Sequence, residues 1–274
     1  MKKKEMNQVA PDTQNPHSRN AHIAQQLHGA TLVVVVWYRY ADIIQLAMQD
    51  LLAAIADRPN TYCLVIHNDS PDPAVRDLFY RFDHPQCMCV DLPFNFGKTL
   101  AANFFFRKYI HAKNLPTTVV SMDPDVLFSK SDFNQLVDAS EALPECGMLG
   151  MRYTNNNCNP ERNLWFPARK LIGKNKKQYY ISCPFLCTVA GPLFAVSGEK
   201  LLNHCSNRLF PADKTSVHGG SIVYGGSDSA LYEKLRWKYK NGYINGLETT
   251  HMQSGSKRSV DVAALLAQRG PLIP

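Results

Sequence analysis

The chain carries, near its middle, the stretch Thr117-Thr118-Val119-Val120-Ser121-Met122-Asp123-Pro124-Asp125. The first six residues form a mostly apolar run that predicts a buried strand. Two carboxylates, Asp123 and Asp125, follow at the carboxyl end of this strand. Carboxylate oxygens bind hard divalent cations such as Mg²⁺, whose sites keep room for substrate phosphates. Because Asp-Pro-Asp also suits a solvated turn, the motif indicates a metal site only together with other segments.

The segments before this stretch alternate between strand and helix patterns. Four apolar runs predict strands, at residues 31–37, 62–66, 87–92 and 117–122. Three amphipathic segments between them predict helices, at residues 42–55, 73–82 and 97–111. This alternation is typical of an α/β domain with a mostly parallel central sheet flanked by helices. Ligands of such sheets bind beyond the carboxyl ends of the strands, where three polar segments fall, at 67–70, 95–98 and 123–125.

Composition is consistent with one large domain. The 274 residues are 45% hydrophobic, which is enough for a full core. No apolar stretch approaches the roughly 20 residues of a membrane span, and the N-terminus lacks the apolar segment of a signal peptide. We therefore expect a cytoplasmic protein with reduced cysteines. Residues 1–28 are expected to form a mobile, polar lead-in.

The second half is less regular. Residues 152–180 are polar, basic and rich in Asn, and such a long connection predicts a functional loop. Further on, two glycines and Ser227 precede Asp228 at the start of an amphipathic helix. Asp228 is either the cap of this helix or a carboxylate that the helix dipole keeps ionised for catalysis. A strand is expected from Tyr243, and a final helix at 260–268.

The net charge of +7 is concentrated in three segments, at 169–177, 234–240 and 257–258. Aromatic residues lie among the basic ones. This pattern favours a surface for a polyanion or an anionic membrane face, and it equally suits a solvated surface that keeps the protein soluble.

Four segments together point to a known family. They are the first strand and its turn at 33–42, the N-x-G-x-x-x-x-x-N segment at 95–103, the D-x-D of Asp123 and Asp125, and the G-G-x-D block at 224–235. In order and spacing the chain resembles the family-2 glycosyltransferases of the GT-A fold, over about residues 30–255.

The resemblance implies a single GT-A-type domain at 29–255. Its nucleotide-sugar half would be 30–125 and its acceptor half 126–255, followed by a C-terminal helix or tail at 256–274. It also implies a metal-dependent, inverting transfer of a sugar from a nucleotide-diphosphate donor to an acceptor hydroxyl. The expected cation is Mn²⁺ or Mg²⁺, the first donor to consider is a UDP-sugar, and the default acceptor is a glycan or a lipid-linked sugar at the inner membrane face.

The resemblance assigns roles to individual residues. Asp228 is the expected catalytic base, with Glu248 and His218 next in line. The expected metal ligands are Asp125 and His251, of which His251 is interpreted either as a ligand or as a structural hydrogen-bonding residue. The residues expected to bind the donor are Trp37, Tyr38, Asn68, Asp69, Lys98 and Asp123.

Two of these assignments depart from the family pattern. The family usually places an Asp at the end of the second strand to contact the nucleotide base, and here Asn68 or Asp69 would have to serve. Trp37 is interpreted either as a stacking partner of the base or as a core residue.

Three other functions remain open. The acceptor would be a modified base in DNA if the basic segment at 152–180 presents such a base to the site. The fold would be a non-catalytic, polyanion-binding module if the basic segments alone act. A nucleotidyltransferase also presents paired carboxylates after a strand, but it normally has a glycine-rich phosphate loop that the first strand lacks.

Overall fold

The computed structural model describes residues 16–153, 168–183, 189, 192–211, 217–218, 221–222, 227–254, 257–258 and 260–273. The helices are α1 (Pro16–Gln26), α2 (Ala41–Ile55), α3 (Pro73–Arg81), α4 (Gly97–Tyr109), α5 (Lys130–Ala142), α6 (Gly198–His204), α7 (Ser227–Leu235) and α8 (Val262–Arg269), with a 3₁₀ turn at Ala112–Asn114. The strands are β1 (Thr31–Trp37), β2 (Thr61–Asn68), β3 (Cys87–Leu92), β4 (Thr118–Met122), β5 (Val126–Phe128), β6 (Cys146–Tyr153), β7 (Arg169–Ile172), β8 (Gln178–Ser182), β9 (Leu193–Ser197), β10 (Val217–His218), β11 (Ser221–Ile222), β12 (Lys240–His251), β13 (Gln253–Ser254) and β14 (Lys257–Arg258).

Ten of these strands form one central sheet in the order β3-β2-β1-β4-β9-β6-β12-β8-β7, with β5 paired to β12. Strands β1 to β4, β6 and β12 run in the same direction, because β9 is antiparallel to both β4 and β6. Strands β5 and β8 are antiparallel to β12. The predicted α/β class with a mostly parallel central sheet is confirmed.

Helices cover both faces of the sheet, and β1 shows why. Val33, Val35 and Trp37 belong to one buried cluster, together with residues of α2 and α5. Leu32, Val34 and Val36 belong to a second cluster with residues of α4, α6 and α7. Since successive side chains of a strand point to opposite faces, a continuous aliphatic run is what a strand buried on both faces requires.

The register of the sheet aligns the carboxyl ends of four strands. Thr31 of β1 pairs with Thr61 of β2 and with Thr118 of β4, and Asn68 pairs with Leu92 at the end of β3. The segments that follow these strands therefore meet at one edge of the sheet, which we call the site edge. The other edge, where these strands begin, is called the opposite edge.

The N-terminal expectation is wrong for residues 16–26. These residues form α1, and Ile23 and the following Leu27 are buried. Asn20 donates to the carbonyl of Cys89 at 2.9 Å and accepts from the Cys89 N–H at 3.1 Å. The helix thereby covers the exposed backbone of the edge strand β3. Residues 1–15 of the expected lead-in lie outside the described residues.

The loop expected at 152–180 is in part a β-hairpin. Strands β7 and β8 pair antiparallel, with Leu171 and Tyr179 buried. The Lys174 N–H donates to the carbonyl of Ala142 at 2.9 Å. Because α5 ends there, just before β6 begins, the basic tip of the hairpin lies at the opposite edge. Residues 154–167 of the expected loop lie outside the described residues.

The C-terminal helix expected at 260–268 is α8, which packs against α2. Its Arg269 Nη1 lies 2.6 Å from Asp50 Oδ1. Across the described parts of the chain, none of the helices combines the length and the apolar character that a membrane crossing requires.

Candidate functional site

Asp123, Asp125 and His251 form a cluster at the site edge. Each side chain offers one ligand atom, and these atoms all lie within 4.8 Å of one another. The three side chains are partly buried, and His251 Nε2 is 2.9 Å from Asp125 Oδ2. Among the residues that the structure describes, no other three His, Cys, Asp or Glu side chains converge in this way. Two carboxylates and one imidazole are a suitable ligand set for Mn²⁺, and the carboxylates also suit Mg²⁺.

The pairing of β5 with β12 explains why His251 reaches the two carboxylates. Strand β5 begins directly after Asp125 and runs antiparallel to the end of β12, so that Val126 is the partner of His251. The Met252 N–H donates to the carbonyl of Asp125 at 2.8 Å. The Thr249 hydroxyl donates to the carbonyl of Leu127 at 2.9 Å. These contacts attach the end of β12 to the segment that carries the carboxylates.

The electrostatics of the cluster favour a cation. Burial raises the pKa of Asp123, the ion pair with Lys98 opposes this effect, and the charge of Asp125 adds to it. Burial lowers the pKa of His251, but the hydrogen bond and charge of Asp125 outweigh it, so that this pKa lies above its ordinary value. Both pKa shifts have a common cause. Two carboxylates lie close together in a partly buried place, where they stabilise positive charge nearby.

Asn68 is hydrogen-bonded within the protein, whereas the sequence left open that it contacts the nucleotide base. Its side chain is buried; its oxygen accepts from the Phe96 N–H at 2.9 Å and its amide donates to Asn95 Oδ1 at 2.8 Å. Asn95 Oδ1 also accepts from the Gly97 N–H at 2.8 Å. Asn68 therefore connects the end of β2 to the start of α4, which places Lys98 beside Asp123.

Asp69 is the carboxylate that the end of β2 exposes. Its backbone has a φ of 45°, a conformation that Asp tolerates better than most residues. Its Oδ1 lies 3.6 Å from Arg76 Nη2. The loop that carries Asp69 is anchored by the buried His67. The Nε2 of this histidine accepts from the Ser70 N–H at 3.3 Å, and its Nδ1 lies 2.6 Å from Asp91 Oδ1. Of the two residues proposed for base recognition, Asp69 is the one that is accessible.

Trp37 is a core residue, so the interpretation that it stacks on a base is wrong. Its side chain is fully buried, with ring centroids 6.0 Å from Phe79 and 5.3 Å from Phe82. Trp37 is the last residue of β1, which is buried along its whole length, and Tyr38 directly after the strand is partly exposed. Tyr40, which sequence reasoning missed, is 39% exposed two residues later. The end of the aliphatic run at Trp37 is the signal that separates this buried residue from the two tyrosines that follow the strand.

Asp228 lies in the first turn of α7 and is partly buried. Helix α7 packs against β6 and β12 and leads directly into β12. The C-terminus of α7 adjoins the start of β12 at the opposite edge. The N-terminus of α7, with Asp228, therefore faces the site edge. Glu248 is exposed on β12. Residues 223–226, with the two glycines before Asp228, lie outside the described residues, as does the side chain of His218 in β10.

Comparisons with known proteins identify the fold. No protein-family model and no curated protein sequence matches the chain. The mannosyltransferase PcManGT from Pyrobaculum calidifontis, in complex with GDP-Man and Mn²⁺, is similar in structure with a TM-score of 0.57 and 17% identity, covering 92% of this chain and 62% of that chain. S. aureus TarS 1–349 in complex with UDP-GlcNAc has a TM-score of 0.51 and 14% identity, covering 87% of this chain and 66% of that chain.

This likeness confirms the predicted GT-A-type fold. At such low identity it shows the fold alone. The chain spans less than two thirds of the length of these two structures.

Proposed function

We propose that the protein is a metal-dependent, inverting glycosyltransferase that moves a sugar from a nucleotide-diphosphate donor to an acceptor hydroxyl. The observation that carries this proposal is the cluster of Asp123, Asp125 and His251 at the site edge of a GT-A-type sheet. Two structurally similar proteins support it, since one is described with GDP-Man and Mn²⁺ and the other with UDP-GlcNAc.

The metal ligands in this proposal are Asp125 and His251, with Asp123 as a third donor or as a contact to the ribose. A divalent cation held there would neutralise the negative charge that develops on the leaving diphosphate. Lys98, whose ammonium pairs with Asp123, lies where it would contact a phosphate as a point charge. The positive charge of Lys98 would thus compensate part of the negative charge of both the carboxylates and the diphosphate.

Tyr38 and Asp69 form the nucleotide end of the proposed site, with the aromatic ring against the base and the carboxylate as its hydrogen-bond acceptor. Both are accessible and follow the neighbouring strands β1 and β2. Asp228 is the proposed base that takes the proton of the acceptor hydroxyl, from the first turn of α7. A single displacement with such a base inverts the anomeric carbon. We keep a UDP-sugar as the first donor to test and include GDP-sugars in the same test.

A glycan or a lipid-linked sugar is the proposed acceptor. The modified-DNA-base alternative depends on the basic segment 152–180, and its described part has its basic tip at the opposite edge. The polyanion module depends on all the basic segments and is the alternative that the test of donor turnover addresses. We also propose a cytoplasmic location, at the inner membrane face when the acceptor is lipid-linked. The six described cysteines are free thiols, as in proteins of reducing compartments.

Nucleotide release tests this proposal. The purified chain is incubated with a panel of UDP- and GDP-sugars in the presence of Mn²⁺, Mg²⁺ or EDTA, and the released nucleotide is measured. We expect release from one donor class, dependent on the cation. Release that is equally fast in EDTA would contradict the metal site, and binding of the donors without any release would favour a non-catalytic module.

A further inference from the structure

Four large apolar side chains are exposed along one side of α4 and on the loop before it. They are Phe94, 60% exposed, Phe96, 36% exposed, Leu100, 41% exposed, and Phe104, 62% exposed. We call this set the α4 stripe. The spacing of four residues between Phe96, Leu100 and Phe104 places them on one side of the helix. The other side of α4 packs its buried residues on β1 and β2.

A contiguous set of this kind differs from the single exposed apolar residues of an ordinary surface. The rings of Phe94 and Phe96 contact each other, with centroids 5.5 Å apart, and the stripe continues along about two turns of helix. Contiguous exposed apolar patches mark surfaces that bind a protein, a membrane or a ligand. The charges around the stripe distinguish among these partners.

The segment of the chain that carries the stripe contains no acidic residue. From Leu92 to Met122 the sequence contains no Asp or Glu, but it contains four Lys or Arg residues, namely Lys98, Arg107, Lys108 and Lys113. Arg107 is exposed three residues after Phe104, so it continues the same side of the helix. Aromatic and aliphatic side chains flanked by cations are the pattern of helices that lie in the surface of an anionic bilayer.

We propose that the α4 stripe binds the surface of a lipid bilayer that contains anionic lipids. The aromatic and aliphatic side chains would enter the boundary between headgroups and acyl chains, where burial of apolar area drives binding. Arg107 and Lys108 would contact the anionic headgroups.

A second surface is less suited to this partner. Trp237 at the opposite edge is 80% exposed, and the Arg236 guanidinium lies 4.6 Å from its ring. However, Arg236 Nη1 is also 2.6 Å from the carboxylate of Glu233. Within the described residues 227–240, this surface offers one large exposed apolar side chain beside the exposed Lys234 and Lys238. The α4 stripe offers four such side chains beside the exposed Arg107 and Lys108.

The position of the stripe has a consequence for the acceptor. Helix α4 begins at Gly97, and Lys98 in its first turn pairs with Asp123 of the metal cluster. The stripe therefore begins beside the candidate site. If the bilayer holds this face, the acceptor that reaches the site is carried by a lipid, an inference that rests on the proposed function.

Vesicle sedimentation of the full chain tests the proposal, without donor or Mn²⁺. The probes are vesicles of phosphatidylcholine alone and vesicles with about 30% phosphatidylglycerol, a typical anionic surface. We expect binding to the anionic vesicles, and binding that is at least about tenfold weaker for Phe94→Ser/Phe104→Ser, which removes two of the apolar contacts. Arg107→Gln should weaken binding about fivefold, the effect of one cation near such a surface. Thermal denaturation checks that the variants are folded.

The matched control is Trp237→Ser, which removes the most exposed aromatic side chain among the described residues but leaves the stripe intact. It should bind like the wild type. Failure of the wild type to bind anionic vesicles overturns the proposal, and so does equal binding by the Phe94→Ser/Phe104→Ser variant or a loss confined to Trp237→Ser.

A dimer in analytical ultracentrifugation that the stripe variant abolishes, without vesicle binding, would instead assign the stripe to a second copy of the chain and overturn the proposal. The outcome is separable from that of the proposed function. Vesicle binding without sugar transfer leaves the stripe assignment standing, and sugar transfer without vesicle binding removes the stripe assignment alone.

Discussion

The two edges of the central sheet hold their charged groups in different ways. At the opposite edge, the buried ammonium of Lys200 donates to the backbone carbonyl of Cys146 at 2.5 Å and lies 5.0 Å from the ring of Tyr239. At the site edge, Asp125 and His251 face each other at 2.9 Å. A backbone carbonyl is a fixed partner. The contact between two titratable side chains can instead be exchanged for a contact to a bound cation or ligand.

This difference separates stability from function. Lys200 at the opposite edge contributes to the fold, because its hydrogen-bond partner belongs to the packed backbone. At the site edge, two carboxylates and an imidazole converge on one place with other titratable side chains as partners, which is characteristic of functional sites. Substitutions within the cluster of Asp123, Asp125 and His251 should therefore change activity with little change in stability, and substitutions of charged groups at the opposite edge should leave activity unchanged.

The largest expected effect is that of Asp125→Ala. The substitution removes one of the two carboxylates of the metal cluster, so we expect nucleotide release to fall to the level seen in EDTA. The carbonyl of Asp125 still accepts from the Met252 N–H, so the fold should persist. Donor turnover and thermal denaturation are measured together.

Asp138→Ala is the matched control near the opposite edge. Asp138 lies 2.9 Å from Arg58 Nη1 and 3.4 Å from Lys177 Nζ, so its loss should cost at most about 1 kcal/mol of stability and no activity. The comparison between the edges breaks if Asp138→Ala lowers turnover as much as Asp125→Ala does.

The next effect concerns Asp228, which is either a base or a helix cap. Asp228→Asn keeps a side chain that caps but cannot accept the acceptor proton. We expect near-native stability, retained donor binding and a fall in transfer of at least about a hundredfold, the usual scale of general-base catalysis. Asp228→Ala should transfer equally slowly.

Asp132→Asn is its control, because Asp132 occupies the first turn of another helix, α5. It should retain full activity. If Asp228→Asn transfers sugar nearly as well as the wild type while Asp228→Ala is destabilised, Asp228 is a cap, and Glu248 and His218 become the next residues to test.

A smaller effect is expected for Asn68→Ala. This variant distinguishes a residue that positions the start of α4 from a residue that contacts the donor. The variant loses the acceptor of the Phe96 N–H and the donor to Asn95, so the start of α4 is no longer held to β2. We expect the KM for the donor to rise about tenfold, with less change in kcat, and a stability loss of about 1–3 kcal/mol from the unpaired groups.

Asn20→Ala provides the comparison, since the Asn20 side chain also holds backbone, through two hydrogen bonds to Cys89 in the edge strand β3. It should lose similar stability without a change in KM. Equal KM values for the two variants would show that Asn68 supports the fold alone.

The elements around the site edge were predictable because they depend on local pattern. Strand β1 matches the predicted 31–37, since a run of aliphatic residues buried on both faces has few alternatives. The position of His251 beside Asp125 depends on the pairing of β5 with β12. No local sequence pattern predicts such a long-range pairing, and only the family resemblance suggested that His251 belongs to the metal site.

Two elements were missed for a different physical reason. Strand β8 does alternate, with Tyr179 buried and Tyr180 exposed, but the high content of Lys and Asn around it favoured a loop. Helix α1 is anchored mainly by Ile23 and Leu27, and two apolar residues give too weak a period to be recognised. In both cases tertiary contacts with α5 or β3 decide the structure, and local composition does not show them.

The smallest expected effect is that of Trp37→Phe, which tests where the site edge ends and the core begins. The Trp37 ring packs on Phe79 and Phe82, and its Nε1 has no hydrogen-bond partner within the described part of the chain. The smaller ring leaves a cavity but also removes a buried, unpaired N–H, so stability should change by about 1 kcal/mol or less. Because no ligand reaches the ring, donor affinity should stay within about twofold of the wild type.

Tyr38→Ser should weaken donor binding about tenfold, the contribution of one base stacked on an aromatic ring. If instead Trp37→Phe weakens binding as much as Tyr38→Ser, the buried indole acts on the donor through the loop that follows β1, and the boundary between core and site must be drawn one residue earlier.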